Sequence, residues 1–308
     1  MRLMTPTTAT RDSLEGLALG DAFGERFFAR MRPAGEAIEL VRARRMPEES
    51  PWHWTDDTAM ALALVRVLAI HDAVHQEQLA ESFAATYLAD PVRGYGYGMH
   101  KLLPRLAEDP AAWREESRGL FEGTGSLGNG AAMRVAPLGA WFCADLEEVA
   151  EQAAFSAEVT HAHPEGVAGA VAVALAAALA ARSRGAGVPD GRALLTDVAD
   201  RTPAGVIRDG LRAAADLPAD TEPWRAADVL GNGHRIRASD TVPFALWSAA
   251  HHLDSLTDAL WTTAEGLGDV DTTCAITGGT VAARTGLTGV PAAWLERREP
   301  LPDWVDGL

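Results

Sequence analysis

The sequence predicts a single all-α domain, and three observations carry that prediction. No stretch sustains an alternation of β-branched residues, and aromatics make up only 6% of the chain, so strand signals are nearly absent. Apolar residues recur instead at spacings of three and four, the period of a helix with a buried face. No composition break and no fixed repeat divides the 308 residues, a length that one large domain can hold. The domain is expected to span 1–308, with 1–12 and 285–308 at its periphery.

In chain order, the first helix is expected over Ser13–Gly24, with Asp12 or Ser13 as its cap and Glu15 in its first turn. Gly16, Gly20 and Gly24 fall at i, i+4 and i+8 and make one bare stripe beside Asp21. Each costs about 1 kcal/mol against alanine in a helix, so close backbone packing or ligand approach must offset them. Residues 25–54 read as irregular, with prolines at 33, 47 and 51 and a Trp52-His53-Trp54 end. Thr55 then caps a strong helix over Asp56–His71, and Gln76–Ala89 forms another, closed by Asp90-Pro91. After Gly94-Tyr95-Gly96-Tyr97-Gly98 comes a helix over Met99–Ala107, then a glycine-rich loop over 119–130. Helices are expected at 131–142, 145–158, 164–182, 190–200 and 204–215. A polar linker ending in Gly231-Asn232-Gly233 leads to Thr241–His252, Ser255–Gly266 and Asp271–Arg284, and a proline-rich tail wraps the surface.

The composition is that of a globular protein with a full core, 47% hydrophobic and 23% charged. The formal charge of −16, from 27 basic and 43 acidic residues, argues against a phosphate-tracking nucleic-acid surface. Lys101 is the only lysine, which leaves Schiff-base or P-loop lysine chemistry almost nowhere to sit. Cys143 and Cys274 stand in apolar helical surroundings and read as small core residues. The uncharged run Val167–Ala181 is shorter than a membrane span and suits a buried helix. Met1–Thr10 lacks the layout of a signal peptide, so the expected compartment is cytoplasmic.

Two acidic clusters stand far apart, each opening a helix: Thr55-Asp56-Asp57 and Asp269-Val270-Asp271-Thr272. Both have a plain reading as capped helix starts with acids in the first turn. Both also suit convergence on one cavity, where four carboxylates and two hydroxyls could hold two hard cations about 3.5–4 Å apart. Spacing leaves the two readings open. Gly123-x-Gly125-x-x-Gly128 matches a dinucleotide fingerprint but follows Trp113-Arg114-Glu115-Glu116-Ser117-Arg118, which cannot be a buried strand, so that reading is rejected. The loop could still offer backbone N–H groups to a phosphate. His161-x-His163-x-Glu165 has no standard zinc spacing, and His161 is better placed as a hydrogen-bonding pocket residue.

Several runs together resemble the ADP-ribosylglycohydrolase family, which includes the dinitrogenase reductase-activating glycohydrolases. They are Gly16-x-x-x-Gly20-Asp21-Ala22-Phe23-Gly24, Trp54-Thr55-Asp56-Asp57-Thr58, Gly128-Asn129-Gly130-Ala131-Ala132-Met133-Arg134, Thr160-His161, Val242-Pro243 and Gly268-Asp269-Val270-Asp271-Thr272. The resemblance spans 13–286 in the family's order. It implies a compact orthogonal helical bundle with a binuclear Mg²⁺ (or Mn²⁺) centre in a cleft. Thr55, Asp56 and Asp57 would hold one side of that centre, and Asp269, Asp271 and Thr272 the other, with Asp271 bridging. Asp21, Ser126, Gly128, Asn129, Gly130 and His161 would bind substrate. The implied reaction is hydrolysis of the glycosidic bond at C1″ of an ADP-ribosyl group on a protein or nucleic acid, releasing ADP-ribose, with Asp56 or Asp271 taking a proton from water. No membrane partner is implied.

Three departures from the family pattern stand out. Where many relatives carry a glutamate seven residues after Asp21, this chain has Phe28, and Glu25 is the candidate acid/base or gate. Val270 replaces a common threonine, with its side chain expected to point away from the cations. Leu127 replaces a stacking aromatic, which Tyr95, Tyr97 or Phe121 could supply. Rival readings are a catalytically silent ADP-ribose-binding relative, as among lens crystallins, and a di-metal nucleotide phosphohydrolase.

Overall fold

In the computed structural model, which describes residues 6–28 and 31–308, helices follow one another with no sheet among the described residues. Extended pairing there amounts to two isolated bridges, Trp52 with Arg298 and Gly128 with Arg237. The first half of the chain contributes α1 (Pro6–Glu25), α2 (Ala34–Arg42), α3 (Asp56–His71), α4 (Gln76–Ala89), α5 (Tyr97–Glu108), α6 (Trp113–Gly123), α7 (Ala136–Trp141) and α8 (Leu146–Glu158). The second half adds α9 (Pro164–Arg182), α10 (Gly191–Arg201), α11 (Val206–Asp216), α12 (Pro223–Leu230), α13 (Ala238–His251), α14 (Leu256–Ala264), α15 (Val270–Thr285) and α16 (Ala292–Arg297).

The centre of the molecule is the α1–α15 pair, and the glycine stripe explains it. A Cβ on Gly16 would stand 2.6 Å from the Gly278 carbonyl oxygen, and one on Gly20 would stand 2.0 Å from that of Cys274. One on Gly24 would stand 2.3 Å from the Val270 oxygen. At Gly20 and Gly24 backbone meets backbone, and at Gly16 the Ala282 methyl also fills the space a Cβ would need. Close packing, not ligand approach, offsets the helix cost of the glycines. Ser13 Oγ adds a cross-link, donating to Gly279 O at 2.8 Å.

Around this pair α15 also packs on α9, α13 and α14. α9 is apolar and long enough to cross a membrane by composition and length, but 78% of its apolar window is buried inside the protein. It is the alanine-rich core helix that its sequence suggests.

Several expected boundaries differ. α1 begins at Pro6, so Asp12 and Ser13 lie inside the helix rather than at its cap, and Ala9 and Thr10 are buried. Residues 1–5 of the expected periphery lie outside the described residues. The segment read as irregular contains α2, with Ala37 and Val41 as its buried residues. The expected helix over 131–142 is a 3-10 turn at Asn129–Ala131 followed by the short α7. The tail is more than a surface wrap: Trp294 on α16 is buried with its ring 5.0 Å from Phe23 and 5.8 Å from Trp261. Trp52 N donates to Arg297 O at 2.7 Å, and Glu299 N donates to Trp52 O at 2.9 Å, which ties the tail to the strip leading into α3.

Candidate active site

The starts of α3 and α15 face one another because α1 holds both. At α3, Thr55 is the N-cap, its Oγ1 accepting from Asp57 N at 3.4 Å and donating to Asp57 Oδ2 at 3.0 Å. Asp21 reaches across from α1: its Oδ2 accepts from Thr55 N at 2.8 Å, Thr58 N at 3.1 Å and Thr58 Oγ1 at 2.6 Å. These are orphan donors of the first turn, which a carboxylate satisfies well. Asp21 has no exposed surface. It lies beneath the α3 N-terminus, where these contacts position Thr55, Asp56 and Asp57.

α15 starts after a left-handed pair, Leu267 at φ 52° and Gly268 at φ 71°. Asp269 N donates to Asn232 O at 3.0 Å, and a Cβ at Gly268 would meet that same oxygen at 2.3 Å. The Gly-Asn-Gly run, read from sequence as the end of a linker, is therefore the wall that shapes this turn. Asp269 Oδ2 accepts from Asn129 Nδ2 at 2.6 Å, and Asn129 Nδ2 also donates to Thr241 Oγ1 at 3.0 Å. Asn129, expected at the substrate, is thus anchored to the α15 half-site. Asp271 Oδ1 accepts from Thr272 N at 2.9 Å. Gly24 abuts this crossing, where a Cβ would stand 2.7 Å from Asp271 Cα. Glu25, the next residue and the last of α1, is buried there.

The electrostatics show that the halves meet. Burial raises Asp56 well above its ordinary value, and the charges of Asp271 and then Asp21 add to it. Burial does the same to Asp57, with Asp21, Asp271 and Asp56 adding to it. Burial pushes Asp21 up to about 7 against the Thr58 hydrogen bond, with Asp271 contributing. Asp269 is likewise pushed up to about 7 by burial and then by Asp271. Asp21, Asp56, Asp57 and Asp269 form no ion pair among the described residues. Asp21 Oδ1 and Asp57 Oδ1 are buried without a hydrogen-bond partner. Carboxylates in such surroundings need a positive partner or a proton.

The donor set is all oxygen, the chemistry of hard divalent cations. Among the described residues, no group of three or more His, Cys, Asp or Glu side chains is arranged to hold a metal ion by itself. Mg²⁺ usually takes one or two carboxylates and keeps several waters, so two acidic helix starts suit hydrated cations between them better than a closed cage.

Beside this cluster lies the Ser126–Gly130 loop. Gly128 N donates to Ser126 Oγ at 3.2 Å. The His161 ring seats against the loop: a Cβ at Gly130 would stand 2.8 Å from Cε1. Only glycine leaves the ring room. His161 Nδ1 pairs with Thr160 Oγ1 at 2.8 Å, and burial followed by the Arg134 charge pushes its pKa down to about 3. Arg134 is fully buried, its guanidinium donating to Gly130 O, Ser156 O and Thr160 Oγ1 and lying 4.3 Å from the centre of the Phe83 ring. Sequence reasoning gave Arg134, Thr58, Asn232 and Thr241 no role at the site.

Of the three candidate stacking aromatics, Tyr95 is committed elsewhere, buried edge-on to Tyr87 at 5.0 Å. Tyr97 and Phe121 are exposed, Phe121 at a left-handed φ of 52°. A cavity of about 540 Å³ lies along α3 and α4, walled by Trp54, Ala63, Arg66, Tyr95 and Trp304, and none of the clustered carboxylates lines it. The acidic cluster, unlike this cavity, buries carboxylate oxygens that folding leaves without a partner.

Residues 4–308 match the sequence profile described as ADP-ribosylglycohydrolase. Human "ADP-ribosylhydrolase ARH3" is 34% identical over 172 residues, 52% of this chain and 47% of that protein. An uncharacterised protein of Archaeoglobus fulgidus is 30% identical over 93% of this chain and 90% of its own length. "ADP-ribosylarginine hydrolase Tri1" of Pseudomonas putida is 26% identical over 96% of this chain and 76% of its own. A solved "ADP-ribosylglycohydrolase-related protein complex" shares the fold with a TM-score of 0.60 at 24% identity, covering 98% of this chain and 94% of that one. The chain spans about half the length of the ARH3 relatives it matches.

Proposed function

The chain belongs to the ADP-ribosylglycohydrolase family, and from that premise we propose that it hydrolyses the glycosidic bond between ADP-ribose and a modified acceptor. The observation that carries this reading is the pair of acidic helix starts, brought together beside the Ser126–Gly130 loop, with Asp56, Asp57 and Asp271 buried and Asp269 half-buried.

Thr55, Asp56 and Asp57 on one side and Asp269, Asp271 and Thr272 on the other would hold two Mg²⁺ or Mn²⁺ ions. Such ions, when bound, anchor sugar hydroxyls and acidify water. The chain's own residues do the rest. The loop presents backbone N–H groups and Ser126 to the diphosphate and ribose. Asp56 or Asp271 accepts a proton from the attacking water as its oxygen bonds to C1″. The bond from C1″ to the acceptor breaks, and the acceptor leaves with a proton. Asp21 takes no proton in this scheme and fixes the first turn of α3.

The test is incubation with ADP-ribosylated arginine, serine and nucleobase substrates in Mg²⁺ or EDTA, following ADP-ribose release. Release that needs divalent cation and is lost in Asp271→Asn supports the reading. Release that survives both EDTA and that substitution removes the di-metal mechanism. No release from any substrate, with tight ADP-ribose binding, means a silent binding protein. Phosphate release from nucleotides instead means a phosphohydrolase.

A further inference from the structure

We propose that Arg134 and Thr160 are positioning residues that lock His161 as an Nε2–H hydrogen-bond donor facing the Gly128–Gly130 loop. A buried chain of groups, counted proton by proton, fixes the tautomer.

A guanidinium only donates. Arg134 Nη2 stands 2.9 Å from Thr160 Oγ1, so the threonine oxygen accepts there. Thr160 has no exposed surface, and its hydroxyl has one other partner, His161 Nδ1 at 2.8 Å. The single hydroxyl proton therefore goes to Nδ1. The alternative, Nδ1–H donating to Oγ1, would leave the threonine proton buried with no acceptor, a costly arrangement. Nδ1 is thus unprotonated. Burial and the neighbouring guanidinium hold the ring neutral, so its one N–H sits on Nε2.

Nε2 points at the loop. A Cβ at Gly130 would stand 2.9 Å from it and one at Gly128 would stand 3.3 Å away. It makes no hydrogen bond within the described protein. Arg134 Nη1 also donates to Gly130 O at 3.1 Å, so one buried guanidinium sets both the tautomer of the ring and the seat of the loop beside it. The ring is a donor for an acceptor oxygen of the ligand, and it is not a general base. The ligand half of this inference rests on the ADP-ribose reading; the tautomer half does not.

Both halves can be measured on the full chain. Long-range ¹H–¹⁵N spectra of ¹⁵N-histidine-labelled protein at neutral pH, without ligand, distinguish the two neutral tautomers. The wild type and Thr160→Ser are expected to show Nε2–H at His161, and Thr160→Val a mixture or Nδ1–H. An Nδ1–H signal in the wild type overturns the proposal whatever the variants do, and so does an unmixed Nε2–H signal in a folded Thr160→Val. ADP-ribose is then titrated against all three. The wild type and Thr160→Ser are expected to bind alike, and Thr160→Val about tenfold more weakly, the loss of one modest hydrogen bond. Equal affinity in wild type and Thr160→Val overturns the donor role. No binding to the wild type removes the ADP-ribose reading, while the tautomer result stands by itself.

Discussion

Asp21 shows what a single side chain can do when it is buried and fully used. Its Oδ2 satisfies three donors of the α3 start, so Asp21→Ala strands all three and is expected to cost about 3 kcal/mol at roughly 1 kcal/mol per lost bond. Urea denaturation measures that. Asp21→Asn, which keeps an acceptor oxygen, should lose much less. Asp271→Asn is a different experiment, expected to lower kcat by roughly 10²–10⁴-fold, the range for losing a positioned proton acceptor. The pH dependence has a definite sign. Asp21 and Asp269 are raised to about 7, and Asp56 and Asp57 well above their ordinary 3.8. The folded chain therefore holds protons that the unfolded chain has released, so metal-free stability is greatest below the unfolded value and falls as pH rises through 7. His161 and His252 act oppositely, since burial depresses their folded pKa values, but they are two groups against four. In EDTA the urea midpoint should be lower at pH 7.5 than at pH 5. Mg²⁺ at a hundred times its Kd should add back about 2.7 kcal/mol at pH 7.5. A midpoint that rises with pH in EDTA contradicts this. The sequence made the acidic clusters legible but not the reach of Asp21, because nothing local says that a carboxylate on α1 meets donors 34 residues onward.

Elements were legible in proportion to their length and caps. α3 announces itself through Thr55 and two first-turn acids, and α9 through an uncharged, alanine-rich apolar run that suits a buried helix. α2, α6, α12 and α16 were missed because each is a helix of eleven residues or fewer, with a face of three buried residues at most. Such a face gives no period to read. The glycine stripe of α1 was visible, and what it touches was not. Gly20→Ala is the test at this scale. Helix propensity favours alanine by about 1 kcal/mol, yet the new Cβ would stand 2.0 Å from the Cys274 carbonyl oxygen. Overpacking costs about 1–3 kcal/mol or more and wins here because backbone cannot rotate aside. The variant should melt earlier than wild type and lose its Mg²⁺-dependent rise in Tm, since separating α1 from α15 separates Asp21 from Asp271. A variant as stable as wild type would mean that the contact yields freely.

At the scale of the whole molecule, the tail and the strip before α3 act as one brace. Arg93 Nη1 donates to Trp54 O at 2.9 Å while its fork grips Glu299 at 2.8 and 2.9 Å. Trp294 wedges behind them against Phe23 and Trp52. Trp294→Ala is expected to cost about 3–5 kcal/mol, as for other buried tryptophans, read by urea denaturation. The overall class was legible because a chain without alternation has few alternatives to helix packing. Which helices pair was not, since partners are set by surface shape across long separations. The α1–α15 contact joins residues 266 apart, and this has a consequence for how the chain is born. At roughly 5–20 residues per second, α1 leaves the ribosome many seconds before the helix it must grip exists. Its bare flank, and Asp21 and Glu25 on its last turns, wait without their partner until α15 follows. The two acidic helix starts can meet only once α15 has followed, so a nascent chain cut short of Asp269 lacks half of the acidic cluster.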